Sequence, residues 1–118
     1  MAKRVLVVDN DRFCVEILGD ILAQAGYEVS KAYDGMEALE SIQREMPDLV
    51  FLDIVMPKID GDRLFYYIRS HPRTSHIPIV IVSGTLAEDT GDALGMRADG
   101  YVAKSRRDEF ARNILTVL

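Results

Sequence analysis

The sequence predicts an open α/β fold in which five parallel strands form one doubly wound sheet. Short apolar, β-branched runs alternate with longer segments of helical period, as in repeated strand–helix units. Two of the apolar runs end on an aspartate, Asp9 and Asp53, although a strand covered on both faces rarely carries a charge. The predicted strands are Val5–Val8, Glu28–Ala32, Leu49–Leu52, Ile77–Val82 and Gly100–Ala103.

Five helices connect and follow these strands. The predicted helices are Arg12–Gln24, Gly35–Arg44, Gly61–Ser70, Ala87–Leu94 and Asp108–Val117. In the first, Cys14 shares helical spacing with apolar residues and is predicted to be core, while Gly26 stands where a left-handed residue would end the helix. Gly91 and Gly95 lie in or beside the fourth helix, and each costs roughly 1 kcal/mol relative to alanine in a helix interior. We expect the fourth helix to be the most mobile element.

The second strand is predicted to lie at an edge of the sheet. It mixes Glu28, Ser30 and Lys31 with apolar residues, whereas the first, third and fourth strands are apolar almost throughout. Strands that helices cover on both faces are expected to be continuously apolar.

Length and composition describe a single domain over residues 1–118. The chain has 48% hydrophobic residues and no polar linker that would divide it. A net charge of −5 disfavours direct binding to nucleic acid, which rewards clustered Lys and Arg. The short basic cluster Lys104–Arg107 is predicted to be solvated surface, apart from Lys104 itself.

The compartment expected from the sequence is the cytoplasm. One cysteine allows neither an internal disulfide nor a thiolate metal site. No apolar stretch approaches the ~20 residues of a membrane span, and Met1–Arg4 leads into only four strand-like residues rather than a signal-peptide core. The sequence ends without a polar tail, on the apolar residues Ile114, Leu115, Val117 and Leu118, which is typical of a domain cut from a longer polypeptide.

Asp9 and Asp53 are predicted to share a site. Parallel strands place their C-terminal ends at one edge of the sheet, where ligands bind at the point of reversed strand order. The alternative is that each aspartate only caps the following helix. For Asp53 this alternative is disfavoured, because Pro57 and Gly61 indicate a turn before that helix.

The chain resembles the receiver domain of bacterial two-component response regulators over essentially its whole length. The residues that carry the resemblance are Asp9, Asp53 with Met56-Pro57 and Asp60-Gly61, Ser83-Gly84, and Tyr101 with Lys104. The resemblance implies a flavodoxin-like (βα)5 fold with strand order 2-1-3-4-5. It also implies a signalling domain that assists its own phosphorylation and dephosphorylation rather than an enzyme.

By this resemblance Asp53 is the phosphoacceptor, which takes a phosphoryl group from a histidine kinase or a phosphotransfer protein. A carboxylate is a competent nucleophile, but its charge and that of Asp9 repel the phosphoryl group, so a hard dication is needed. The resemblance implies Mg²⁺ bound by Asp9, Asp53 and the backbone carbonyl of Val55, with Asn10 at the position of a second acid.

Three further residues receive roles from the resemblance. Lys104 would neutralise the phosphoryl oxygens, and Ser83 would donate a hydrogen bond to them. Movement of Ser83 would vacate space for Tyr101 and switch the face built from the fourth helix, fifth strand and fifth helix. The alternatives are that Lys104 is a surface lysine, that Ser83 is a turn residue at a strand end, and that Tyr101 is a static, half-buried aromatic.

The chain departs from the family pattern at three positions. Asn10 replaces an acid and predicts weaker Mg²⁺ binding, since Asp11 is well placed to cap the first helix. Ser105 replaces a proline that is often cis; a cis bond before a non-proline costs ~3 kcal/mol, so a trans bond is predicted and the placement of Lys104 changes. Val55 cannot orient an attacking water, which predicts a long-lived acyl phosphate.

The sequence also bears on two other functions. Asn10 and Ser105 favour a pseudo-receiver, a protein-binding module that is never phosphorylated. A flavodoxin-like cofactor site would need glycines and hydroxyls after the first strand, where this chain has acids. His71 and His76 are predicted to be exposed loop residues. An output domain in the same chain, an output on a partner protein and a homodimer are all compatible with the sequence.

Overall fold

The fold is a five-stranded sheet with helices on both faces. It was obtained as a computed structural model and is described over residues 3–53, 61–83 and 99–103. The strands are β1 (Arg4–Val8), β2 (Glu28–Ala32), β3 (Leu49–Asp53), β4 (Ile79–Ser83) and β5 (Gly100–Ala103). The helices are α1 (Arg12–Gln24), α2 (Gly35–Arg44) and α3 (Gly61–Ser70). The predicted helices Ala87–Leu94 and Asp108–Val117, and the mobility expected of the former, lie outside the described residues.

The strand order is β2-β1-β3-β4-β5, and every pair is parallel. From β1 the chain first moves outward to β2, and it then returns to the other side of β1 to form β3. The order of the strands therefore reverses between β1 and β3. The predicted fold class and the edge position of β2 are both confirmed.

Apolar side chains fill the space on both faces of the sheet. On one face, α1 packs against alternate strand residues; this cluster comprises Val5, Val7, Cys14, Val15, Leu18, Leu22, Phe51, Val80 and Val82. On the other face, α2 and α3 cover the intervening residues, among them Leu6, Val8, Val50, Leu52, Ile79 and Ile81. Each fully buried Leu, Ile, Val or Phe contributes about 1.5–3 kcal/mol. The buried position of Cys14 confirms its predicted role in the core.

Helix α1 begins and ends on defined caps. The Asp11 carboxylate accepts the backbone N–H groups of Phe13 and Cys14 at the N-terminus. At the C-terminus Gly26 has a φ of 96°, and the N–H of Tyr27 donates to the carbonyl of Leu22. This left-handed residue with its 6→1 bond is a Schellman cap, as the sequence predicted.

The fourth strand was predicted two residues too early, because it begins at Ile79 and not at Ile77. The N–H of Ile77 bonds to the carbonyl of Thr74 in the preceding turn. Pro78 has no N–H to donate to a neighbouring strand. Ile77 is nevertheless buried, which explains why an apolar pattern alone extended the strand to it.

Among the helices of the described residues, none combines the length and the hydropathy that a membrane span requires.

Candidate functional site at the carboxyl edge of the sheet

Asp9 and Asp53 lie side by side at the carboxyl edge, the edge of the sheet at which the strands end. Val8 of β1 is paired with Leu52 of β3, and each aspartate is the next residue along its strand direction. Asp9 and Asp53 are only 3% and 6% exposed. Two buried carboxylates thus lie on neighbouring strands at the position where the strand order reverses.

Two acids follow β1, Asp9 and Asp11, and their side chains make different contacts. The N–H of Asp9 donates to the carbonyl of Ala32 in β2, at 3.1 Å, and Oδ1 of Asp9 accepts the N–H of Asp11 at 2.9 Å. The cap of α1 is Asp11, so the alternative in which Asp9 caps that helix is wrong. Asn10 lies between them and is exposed.

The donor set suits a hard dication. Magnesium is usually held by one or two carboxylates, with water completing the octahedron, and Asp9 with Asp53 supplies two such groups. Asn10, which follows Asp9 in the sequence, carries an amide oxygen. No group of three His, Cys, Asp or Glu side chains suited to a metal occurs in the part of the chain that the structure describes.

The backbone brings β4 and β5 to the same carboxyl edge. Ser83 ends β4 opposite Ala103 of β5, and Tyr101 is paired with Ile81. Since β5 ends at Ala103, Lys104 is the first residue beyond it. Val55, Lys104 and Ser105 lie outside the described residues, so the expectations for them stay predictions.

A polar network surrounds the ring of Tyr33, which follows β2 near the carboxyl edge. The Arg12 guanidinium lies 4.3 Å from the centre of the Tyr33 ring, and the Tyr33 hydroxyl donates to Glu16 at 3.3 Å. Lys31 pairs with Glu16 at 2.9 Å. The hydrogen bond from Lys31 and its charge lower the pKa of Glu16. The hydrogen bond to Glu16 raises the pKa of Lys31.

The opposite end of the sheet holds a different set of features. A cavity of about 260 Å³ lies between the C-terminal ends of α2 and α3, lined in part by Met46, Tyr67 and His71. His71 and His76 are exposed, as predicted, and far from the acids. An ion pair between Arg69 and Asp99 also lies at this end. Sequence reasoning missed this pair, because thirty positions separate two residues that belong to no motif.

An open, doubly wound parallel sheet with the strand order 2-1-3-4-5 defines the flavodoxin-like class of α/β proteins. Residues 5–115 match the response regulator receiver domain family. The chain belongs to that family, and it is a receiver domain of the kind that serves two-component signalling.

One curated relative is the response regulator PleD of Caulobacter vibrioides, which is 38% identical over 94 residues. The match covers 80% of this chain and 20% of PleD, so the chain spans about a fifth of that relative.

Solved structures share the fold over nearly the whole chain. A response regulator from Chloroflexus aurantiacus is 34% identical with a TM-score of 0.83, and the match covers 99% of this chain and 98% of that one. The phosphorylated cyanobacterial phytochrome response regulator RcpA is 26% identical with a TM-score of 0.86, covering 99% and 91%. The Mn²⁺-bound form of response regulator Rcp1 is 25% identical with a TM-score of 0.82, covering 95% and 89%.

Proposed function

We propose that Asp53 is the residue of this receiver domain that accepts the phosphoryl group. The observation that carries the proposal is the buried pair formed by Asp9 and Asp53 at adjacent strand ends. Phosphorylation of RcpA, a structural neighbour, supports it. The phosphoryl donor is a phosphohistidine on a sensor histidine kinase or on a phosphotransfer protein.

In the reaction an Asp53 oxygen attacks phosphorus, the new P–O bond forms an acyl phosphate, and the P–N bond to the donor histidine breaks. Asp9, Asp53, the Asn10 amide and the backbone carbonyl of Val55 would hold Mg²⁺. The metal would neutralise charge on the phosphoryl oxygens and so relieve repulsion from the carboxylates. The Mn²⁺-bound form of the neighbour Rcp1 supports the binding of a divalent ion by this domain.

Lys104 and Ser83 complete the proposed phosphoryl site. Lys104 follows β5 directly and would place a compact positive charge on the phosphoryl oxygens. Ser83, at the end of β4, would donate its hydroxyl to the same group. Tyr101 lies in β5, where it is paired with Ile81 of β4. Movement of Ser83 toward the phosphoryl group would make room for Tyr101, whose response would change the surface offered to an output domain or a partner protein.

The test is the intact mass of the protein after incubation with Mg²⁺ and acetyl phosphate. Wild-type protein should gain one phosphoryl group, and Asp53→Ala should gain none. Asp20→Asn, which removes an exposed carboxylate from α1, is the matched control and should react like wild type. A folded wild-type protein that gains no mass at high Mg²⁺ would instead indicate the non-phosphorylated binding module, with Asn10 and Ser105 as the reason.

A further inference from the structure

Arg69 joins the last turn of α3 to the residue that precedes β5. Its Nη2 lies 2.6 Å from Oδ2 of Asp99. Its Nη1 donates to the carbonyl of Ile77 at 2.7 Å and to that of Ser75 at 3.3 Å. The guanidinium also lies 5.2 Å from the centre of the Phe65 ring. One side chain therefore connects α3, the α3–β4 connection and the start of β5.

Asp99 forms hydrogen bonds to Ile79, the first residue of β4, through both its backbone and its side chain. The N–H of Asp99 donates to the carbonyl of Ile79 at 2.8 Å. Oδ2 of Asp99 accepts the N–H of Ile79, also at 2.8 Å. The same oxygen bonds to Arg69, so the ion pair orients the carboxylate that holds Ile79. These hydrogen bonds join Ile79 and Asp99, which immediately precede the first paired residues of β4 and β5, Val80 and Gly100.

The register of β5 on β4 decides where β5 ends, and Lys104 is the next residue in the sequence. β5 has only four residues and lies at the edge of the described sheet, with β4 as its neighbour. A slip by one residue would move Lys104 by about 3.3 Å along the strand. The same slip would turn every side chain of β5 to the opposite face.

We propose that Arg69 and Asp99 are positioning residues for phosphoryl transfer, because they fix the register of β5 and with it the location of Lys104. Both residues lie at the end of the sheet opposite Asp9 and Asp53. The inference rests on the proposed role of Lys104. The negative and positive groups of the site are then positioned by different elements. The strands β1 and β3 position Asp9 and Asp53, whereas the position of Lys104 depends on the contact at Asp99.

A double-mutant cycle tests this inference through the rate of phosphorylation by acetyl phosphate at saturating Mg²⁺. Asp99→Ala should slow the reaction by about tenfold or more, because a misplacement of only ~1 Å at a reacting group can already cost about a hundredfold. Asp99→Asn, which retains an oxygen acceptor for Ile79, should recover part of the rate. Lys104→Ala should also be slow, and the double variant should be no slower than Lys104→Ala alone.

Binding of Mg²⁺, measured by calorimetry, is the readout that a general structural defect would change. Asp99→Ala should bind Mg²⁺ as wild type does. Glu28→Gln is the matched control, because it removes an exposed ion pair with Arg4 at the same end of the sheet but on β2, and it should leave the rate unchanged.

The outcomes distinguish this inference from the proposed function. If Lys104→Ala reacts at the wild-type rate, the proposed role of Lys104 fails. If Lys104→Ala is slow but the effect of Asp99→Ala multiplies with it, or Mg²⁺ binding falls in parallel, the positioning role is overturned. Should Asp99→Ala fail to fold by circular dichroism, Asp99→Asn and Arg69→Gln enter the same cycle and decide the question by the same criteria.

Discussion

The backbone N–H of Asp11 donates a 2.9 Å hydrogen bond to Oδ1 of Asp9. The Asp11 carboxylate itself accepts the N–H groups of Phe13 and Cys14 in the first turn of α1. The backbone of Asp11 thus supports Asp9, while its side chain is committed to the helix. Asp11 therefore does not add its carboxylate to those of Asp9 and Asp53 at the strand ends.

Asn10→Asp should strengthen Mg²⁺ binding. The variant places a second carboxylate beside Asp9, and a gain of about tenfold in affinity corresponds to ~1.4 kcal/mol. Calorimetric titration at fixed ionic strength measures the change. Asp11→Asn is the control, since it alters charge in the same loop on a side chain that points to the helix, and it should change affinity little. An Asn10→Asp protein with wild-type affinity would show that this position does not reach the metal.

Asp11→Ala should destabilise the domain by about 1 kcal/mol, the usual cost of losing an N-cap. The reason is that the N–H groups of Phe13 and Cys14 lose their side-chain acceptor. Urea unfolding measures the change in free energy. Asp11→Asn keeps a capping oxygen and should remain close to wild type. Equal stability of Asp11→Ala and wild type would contradict the role of the cap.

Val55→Asn should shorten the lifetime of the acyl phosphate. An amide can hydrogen-bond the attacking water, and we expect loss of phosphate to accelerate by about tenfold, below the ~10²-fold minimum typical of full general base catalysis. The decay is followed by intact mass after removal of the phosphodonor. Val55→Ala changes the size of the side chain without adding a polar group and should leave the decay rate near that of wild type. An unchanged rate of phosphate loss in Val55→Asn would contradict the explanation that an apolar Val55 prolongs the acyl phosphate.

The Glu16–Lys31 ion pair should contribute to stability only within a defined pH window. The pKa of Glu16 is held below its ordinary value of 4.5, so its contribution is present above 4.5 and is lost as pH falls through the lowered pKa. The pKa of Lys31 is raised above 10.5, so its contribution is present below 10.5 and is lost as pH rises through the raised pKa.

Urea unfolding of Glu16→Gln tests this window. The variant should be less stable than wild type at about pH 7, and the difference should shrink at about pH 3. Glu40→Gln, which changes an exposed glutamate on α2, is the control and should be about as stable as wild type. A difference that persists unchanged in acid would rule out the ion pair as its source.

The apolar patterns of the sequence predicted the fold well, because strands buried on both faces leave a strong local signal. The three described helices have the predicted bounds, and β2 is the edge strand that its charges indicated. The error at β4 arose where burial and strand pairing separate: Ile77 is buried, but its N–H belongs to a turn and Pro78 has none to give.

The candidate site was predictable to the extent that topology determines it. Parallel strands bring their ends together, so two terminal aspartates had to become neighbours. The Arg69–Asp99 contact was not predictable by the same reasoning. An arginine in the last turn of an amphipathic helix usually indicates a solvated end, and only the folded chain brings it to the residue before β5.

The charges of β2 also affect how molecules of this protein meet one another. An open strand edge offers unpaired N–H and C=O groups to any other extended chain. Here the edge strand carries two exposed charged residues, Glu28 and Lys31, which form ion pairs with Arg4 and Glu16 respectively. A strand added from a second molecule would have to displace or desolvate both charges, so this edge resists the strand-to-strand aggregation to which exposed sheets are prone.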